Sequence, residues 1–231
     1  TPPAGYDSTA PANSGPQPRL HADCPIIIEE PSLRRNCRSR SWCDACPVAV
    51  GSFIWNEEPR LHILFVCTGN ICRSPTAERL ATTYCDAHQI PGFVASSAGT
   101  RAVIAHPMHS DAALVLEGLG GTASGFTARQ LTPKIAARAD LILTMTTAHR
   151  DHVLEIAPHK LNRTFRLTEA AQLVLTLGAQ TIADLADLRP LLSAADVPDI
   201  GDPIGQSPGV FAAIGAQIAA LLPPVLELCR P

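Results

Sequence analysis

The chain has 231 residues, 46% of them apolar and 17% charged, which is ample for one domain with a buried core and marginal for two. A formal net charge of −3 argues against a nucleic-acid binder, because neutralising phosphates calls for clustered Lys and Arg. No run approaches the roughly 18 to 20 consecutive apolar residues that a transmembrane helix needs, so no membrane partner is expected.

Both tryptophans, Trp42 and Trp55, and a large share of the prolines precede Arg60, so the chain is compositionally split. Residues 1–58 read as a Pro-rich, largely irregular extension that sustains neither helical nor strand periodicity and is expected to be disordered. A competing reading is a small zinc site, with Cys43 and Cys46 as a CxxC knuckle and Cys24, Cys37 or His21 completing the ligands. Structural zinc sites usually pair two knuckles, and the second is missing. The N-terminus lacks the basic region and apolar core of a signal peptide, and a cytoplasmic location is expected. Reduced thiols fit that setting, in which any special cysteine of residues 59–231 is catalytic.

From Arg60 strands and helices alternate. Leu61 to Val66 is a short apolar strand, ended by Cys67-Thr68-Gly69-Asn70. Ser74-Pro75 opens a helix to about His88, with Ser suited to the N-cap and Pro to the first helical position. Phe93 to Ser97 is a second strand, and Pro107 to Leu119 a helix ended by Gly120-Gly121. Leu141 to Met145 is a third strand, Thr147 to Ile156 a helix, and Thr164 to Leu167 a fourth strand. A Leu-rich helical stretch, the loop from Val197 to Gln206, and a last helix from Gly209 to Leu222 complete the domain. This order predicts an α/β open three-layer sandwich with a parallel sheet, whose ligand site lies beyond the carboxyl ends of the strands.

The loop after the first strand reads Cys67-Thr68-Gly69-Asn70-Ile71-Cys72-Arg73-Ser74-Pro75. Gly69 and Asn70 tolerate left-handed conformations, so successive N–H groups of residues 68 to 73 are expected to point inward. The helix that follows adds its own free amides and positive end, making a cradle for a phosphate dianion. Arg73 supplies a two-pronged charged grip, and Cys67 sits under the anion's central atom. The positive surroundings are expected to lower the Cys67 pKa, with Ser74 donating to the thiolate. Full ionisation gains only about 2 kcal/mol, so most catalysis would come from amides and guanidinium matched to the transition state. A leaving alkoxide needs a proton, and Asp202 in Asp202-Pro203 is the best candidate acid, its carboxyl raised by the anion beneath it.

These residues resemble the low-molecular-weight protein tyrosine phosphatases. The resemblance rests on Val66 to Pro75, Ser97-Ala98-Gly99-Thr100, Asp140 to Met145 and Asp202-Pro203. It implies a four-stranded parallel sheet, no metal and no cofactor, and a phosphorylated protein as substrate. It further implies Cys67 as nucleophile forming a phosphocysteine, Arg73 as phosphate ligand, Asp202 as acid and then base, Asn70 holding the loop and Ser74 supporting the thiolate. Cys72 matches a second loop cysteine able to close a reversible disulfide with the nucleophile. Two positions depart from the family pattern. Phe126 stands at the best local match for a His that props the loop, and Ile204-Gly205 follow Asp-Pro where aromatics usually wall the substrate ring.

Protein arginine phosphatase is the live alternative, since the aromatic wall is missing, although Ile71 is of the type that goes with phosphotyrosine. An arsenate reductase using a small external thiol and a non-enzymatic phosphate-binding module are further readings. His149, His152 and Glu155 share a helix face that reads as solvated rather than as a metal site.

Overall fold

The computed structural model describes residues 61–193 and 197–230. The expected disorder and the zinc knuckle of residues 1–58 lie outside the described residues. The sheet contains β1 (Leu61–Cys67), β2 (Phe93–Gly99), β3 (Leu141–Thr144) and β4 (Thr164–Arg166) in the order β2-β1-β3-β4, every pair parallel. Seven α-helices are described: α1 (Arg73–Ala87), α2 (Ser110–Gly118), α3 (Pro133–Arg138), α4 (Thr147–Ile156), α5 (Leu167–Leu177), α6 (Ile182–Leu188) and α7 (Pro208–Glu227). The predicted α/β sandwich with four parallel strands is what forms.

Alternation along β1 sends Ile63 and Phe65 into one apolar layer and Leu64 and Val66 into the other. The larger layer joins Leu143 and Phe165 to Leu116, Leu173, Ile218 and Val225, from α2, α5 and α7. The smaller joins Ile142 to Ala136 of α3 and Val153 of α4. β1 is interior to the sheet and buried on both faces from Ile63 onward. Its carboxyl end, Cys67, is therefore held with little freedom.

Several boundaries differ from the sequence reading. Helix α1 starts at Arg73 with Cys72 as its N-cap, so Ser74 lies in the first turn and its hydroxyl is left for another use. Helix α2 starts at Ser110 because His109 caps it, accepting from the Asp111 N–H. Helix α3 has six residues, too few to show a period, and is set by Thr132 accepting from Ile135 N and by Pro133 in its first turn.

Helix α7 runs on to Glu227 through Pro223 and Pro224. Two internal prolines would cost about 6 kcal/mol at the usual rate, and burying Val225 and Leu226 completely offsets about 3 to 6 kcal/mol of it. Over an 18-residue stretch α7 has a mean hydropathy of 1.8, long and apolar enough by length and composition to cross a membrane, although Gln217 interrupts its apolar run. In the structure it packs on α1, α2 and α5 through a stripe of Phe211, Gly215, Ile218 and Leu222, as a core helix does.

Gly99, at the end of β2, permits the closest approach to the loop after β1. A Cβ there would lie 2.5 Å from the Thr68 carbonyl oxygen and 3.0 Å from Ala102 Cα, both backbone atoms. Gly99→Ala is therefore expected to destabilise the domain by about 1 to 3 kcal/mol, read as a lower urea midpoint. An unchanged midpoint would show that the two segments separate freely.

Candidate active site

The loop after β1 is shaped from behind. Thr100 N donates to Cys67 O (2.9 Å), Arg101 N to Thr68 O (3.0 Å), Val103 N to Gly69 O (2.9 Å) and His109 N to Ile71 O (2.8 Å). With those carbonyls drawn outward, the N–H groups turn inward. Those of Gly69, Ile71, Cys72 and Arg73 find no acceptor among the described residues. The left-handed turn that makes this possible is taken by Asn70 alone, at φ 56°, and not by Gly69.

Asn70 is wholly buried and its carboxamide is fully engaged. Nδ2 donates to Ser74 Oγ (2.9 Å) and Ser97 Oγ (2.8 Å), and Oδ1 accepts from Arg129 N (2.8 Å). Ser97 Oγ in turn donates to Glu78 Oε2 (2.5 Å). Support for Asn70 thus comes from two serines and a backbone amide. Phe126 packs in the core with the Arg79 guanidinium 5.8 Å from its ring centroid.

Cys67 Sγ lies 2.9 Å from Ser74 Oγ and accepts from Asn70 N at 3.3 Å. Because Ser74 Oγ already accepts from Asn70, its own hydrogen is free to point at the sulfur. Both contacts favour the thiolate. Cys72 is different: burial foremost, and the neighbouring Cys67 charge, push its thiol up to about 12. It therefore stays protonated, and both cysteines are unpaired. Of the two loop cysteines, Cys67 is the one whose sulfur meets the Ser74 hydroxyl and the Asn70 amide.

Arg73 is 4% exposed and joins this loop to the one before α7. Its guanidinium donates to Ile200 O (3.0 Å) and pairs with Asp202 Oδ2 (2.6 Å), while Nε is buried without a partner. The loop that carries Asp202 is anchored on three sides. Ile200 N donates to Met145 O (2.9 Å), Thr147 N to Asp199 Oδ1 (2.9 Å), and buried Arg166 to Val197 O (2.6 Å).

Cys67, Thr68, Gly69, Ile71, Cys72, Arg73 and Asp202 line one half-open cavity of about 260 Å³, completed by Arg101, Val103 and Ile204. Every residue predicted to touch phosphate reaches it except Asn70, which with Ser74 stands behind the wall. Ser97, Arg129 and Arg166 were not assigned roles, because their partners are distant in sequence.

His149 overturns the reading of a solvated face. It is buried, its Nε2 2.8 Å from Thr68 Oγ1 and its Nδ1 2.9 Å from Thr146 Oγ1. Among the described residues no group of three or more His, Cys, Asp or Glu is placed to hold a metal.

Comparison with known proteins places this geometry. A family model described as low molecular weight phosphotyrosine protein phosphatase matches residues 62–176. The low molecular weight protein-tyrosine-phosphatase Etp of Escherichia coli K12 is 41% identical over 102 residues, covering 44% of this chain and 66% of Etp. The low molecular weight protein-tyrosine-phosphatase Ptp of Acinetobacter johnsonii is 36% identical over 106 residues, 46% of this chain and 71% of Ptp. The chain belongs to the low molecular weight phosphotyrosine protein phosphatase family. The first curated relatives are thus matched over slightly less than two thirds of their length. Among solved structures, the YwlE arginine phosphatase from Geobacillus stearothermophilus superposes with a TM-score of 0.56 at 29% identity, covering 72% of this chain and 91% of YwlE. Asp202 lies beyond the span of the family model, so its place in the site rests on its ion pair with Arg73.

Burial, followed by the Arg73 charge, lowers the His149 pKa from 6.5 to about 4. Between those values the unfolded chain takes up a proton that the folded chain refuses. Stability contributed by neutral His149 is therefore complete above pH 6.5 and is lost as pH falls towards 4, with a slope of at most about 1.4 kcal/mol per pH unit. Urea unfolding at stepped pH is expected to show a shallower acid decline in His149→Gln than in the wild type. Equal slopes would remove His149 from that role.

Proposed function

We propose that this chain hydrolyses phosphotyrosine in protein substrates through a phosphocysteine on Cys67. The observation that carries the reading is a buried Arg73, its Nε unpartnered, in the wall of a cavity where inward-turned amides surround the Cys67 sulfur. A buried guanidinium with a free donor beside unpaired N–H groups fits a tetrahedral dianion. Family membership supports the same chemistry.

In this reading the phosphoryl group rests on the loop amides and takes Arg73 Nε together with the nitrogen that Asp202 now holds. The Cys67 thiolate attacks phosphorus, forming the S–P bond as the P–O bond to the leaving group breaks. Asp202, displaced from Arg73 and protonated, donates its proton to the departing oxygen. Water then attacks the phosphocysteine, Asp202 accepts the water's proton, and phosphate leaves with the thiolate restored. No metal or cofactor enters this scheme. Cys72 is the candidate partner for a reversible disulfide that shields Cys67 from over-oxidation. A cytoplasmic setting, which keeps the nucleophile reduced, suits the whole.

The second reading is phosphoarginine hydrolysis. It draws support from the cavity mouth, where Val103 and Ile204 are aliphatic and no aromatic ring is present among the lining residues.

Cys67→Ser is expected to abolish hydrolysis of an aryl phosphate. Asp202→Asn is expected to cost on the order of 10²- to 10⁴-fold with poor leaving groups and much less with p-nitrophenyl phosphate. Equal losses across leaving groups would take the proton-donor role from Asp202. Competing phosphotyrosine and phosphoarginine peptides decide the substrate, with the tyrosine reading failing if only the latter are turned over.

A further inference from the structure

A second cavity of about 280 Å³ adjoins the catalytic one, lined by Thr68, Thr100, Arg101, Ala148, His149 and His152. The two share Thr68 and Arg101, so Arg101 stands in the wall between them.

Its backbone there is fixed. Arg101 N donates to Thr68 O (3.0 Å), Thr100 N to Cys67 O (2.9 Å), and Ala102 N to Gln130 Oε1 (3.0 Å). Its side chain, by contrast, is exposed, and among the described residues its guanidinium enters no salt bridge. A cation clamped at its root to the catalytic loop, with its head unengaged, is built to meet something that arrives with the substrate.

Apart from Ala148, the rest of the lining is polar and holds no carboxylate. His152 is part-exposed and lies 3.4 Å from Glu155, and two threonine hydroxyls complete the polar wall. His149 has both ring nitrogens engaged by Thr68 and Thr146, so it shapes the cavity rather than binding in it. Of the carboxylates around it, Glu155 pairs with His152, Asp202 with Arg73, and Asp199 with Arg166 while accepting from Thr147 N, and none of the three lines this cavity. An incoming anion therefore meets the Arg101 guanidinium and hydrogen-bonding side chains, with no carboxylate in the lining.

We propose that the cavity between Arg101 and His152 is a specificity subsite for an anionic side chain, carboxylate or phosphoryl, that neighbours the phosphorylated residue of the protein substrate. An extended chain advances roughly 3.3 to 3.6 Å per residue, so adjoining cavities suit positions one or two residues apart. The subsite rests on the phosphatase reading and adds sequence context to it.

The test uses phosphotyrosine peptides that differ only beside the phosphorylated residue, carrying Glu, Gln or phosphoserine, with an aryl phosphate as the reference substrate. The Glu peptide, the phosphoserine peptide or both are expected to exceed the Gln peptide in kcat/KM by about two- to fivefold, mainly through KM, as for a partly exposed charge pair. Which of them exceeds it identifies the anion. The preference should fade as salt is raised towards 1 M, where the screening length falls to about 3 Å. In Arg101→Gln the acidic-to-neutral ratio should fall to near one, whatever happens to the common rate, and in Arg101→Glu it should invert in favour of a Lys peptide. A ratio near one in the wild type, or one that survives in Arg101→Gln, overturns the subsite while aryl phosphate turnover leaves the phosphatase reading standing. Failure to hydrolyse the aryl phosphate removes that reading and the subsite with it.

Discussion

The site depends on the backbone hydrogen bonds that pull the carbonyls of Cys67, Thr68, Gly69 and Ile71 away from the cavity. A peptide unit presents its N–H opposite its C=O, so fixing the carbonyls fixes where the amides point. The donors sit at residues 100, 101, 103 and 109, just beyond β2, and β2 is paired residue by residue with β1 from Leu61 to Cys67. Sheet register thereby becomes loop geometry. Gly99 is where the two segments come closest, and the buried Asn70 carboxamide fixes the curl from within.

Arg73 is the second dependence. A buried guanidinium is costly unless its charge is compensated, and Asp202 compensates it. The two partners are unequal: Arg73 is 4% exposed at its side chain and Asp202 is 47% exposed. Asp202 can therefore leave for water at modest cost, but Arg73 must exchange one anion for another. In the proposed reaction a phosphoryl group makes that exchange and frees the carboxyl from its cation in the same event. Anion binding at Arg73 and release of the Asp202 carboxyl are thus, in that reaction, one exchange.

How much of this was readable in the chain follows from the range of each interaction. Cys67, Arg73 and the amide-rich turn are contiguous, so residue types alone dictated the anion cradle, and Asp202 stood out in a loop of Gly and Pro. Helix α3 was missed because six residues show no period, and α7 was cut short at Pro223 because the burial of Val225 and Leu226 is a tertiary fact. His149 was misread because a single His on a helix gives no sign of burial, and its partner Thr68 is 81 positions away. Arg166 closes a buried three-residue strand and holds Val197 O, again across a distance no local pattern reveals.

The mouth of the cavity shows why substrate preference is the least legible part. Ile71, Val103 and Ile204 arrive from the catalytic loop, the loop after β2 and the loop after β4 and its helices, each held by backbone bonds or by neighbours of the site. Val103 N donates to Gly69 O, so its position is set by the catalytic scaffold, while its side chain forms none of the hydrogen bonds that hold the loop. Changing such a side chain alters what the mouth admits and leaves the amide cradle in place. The chemistry is constrained by backbone geometry and a few buried polar groups, whereas selectivity rests on side chains that those constraints leave free. A chain can therefore announce its reaction in one loop and disclose its substrate only where three loops meet.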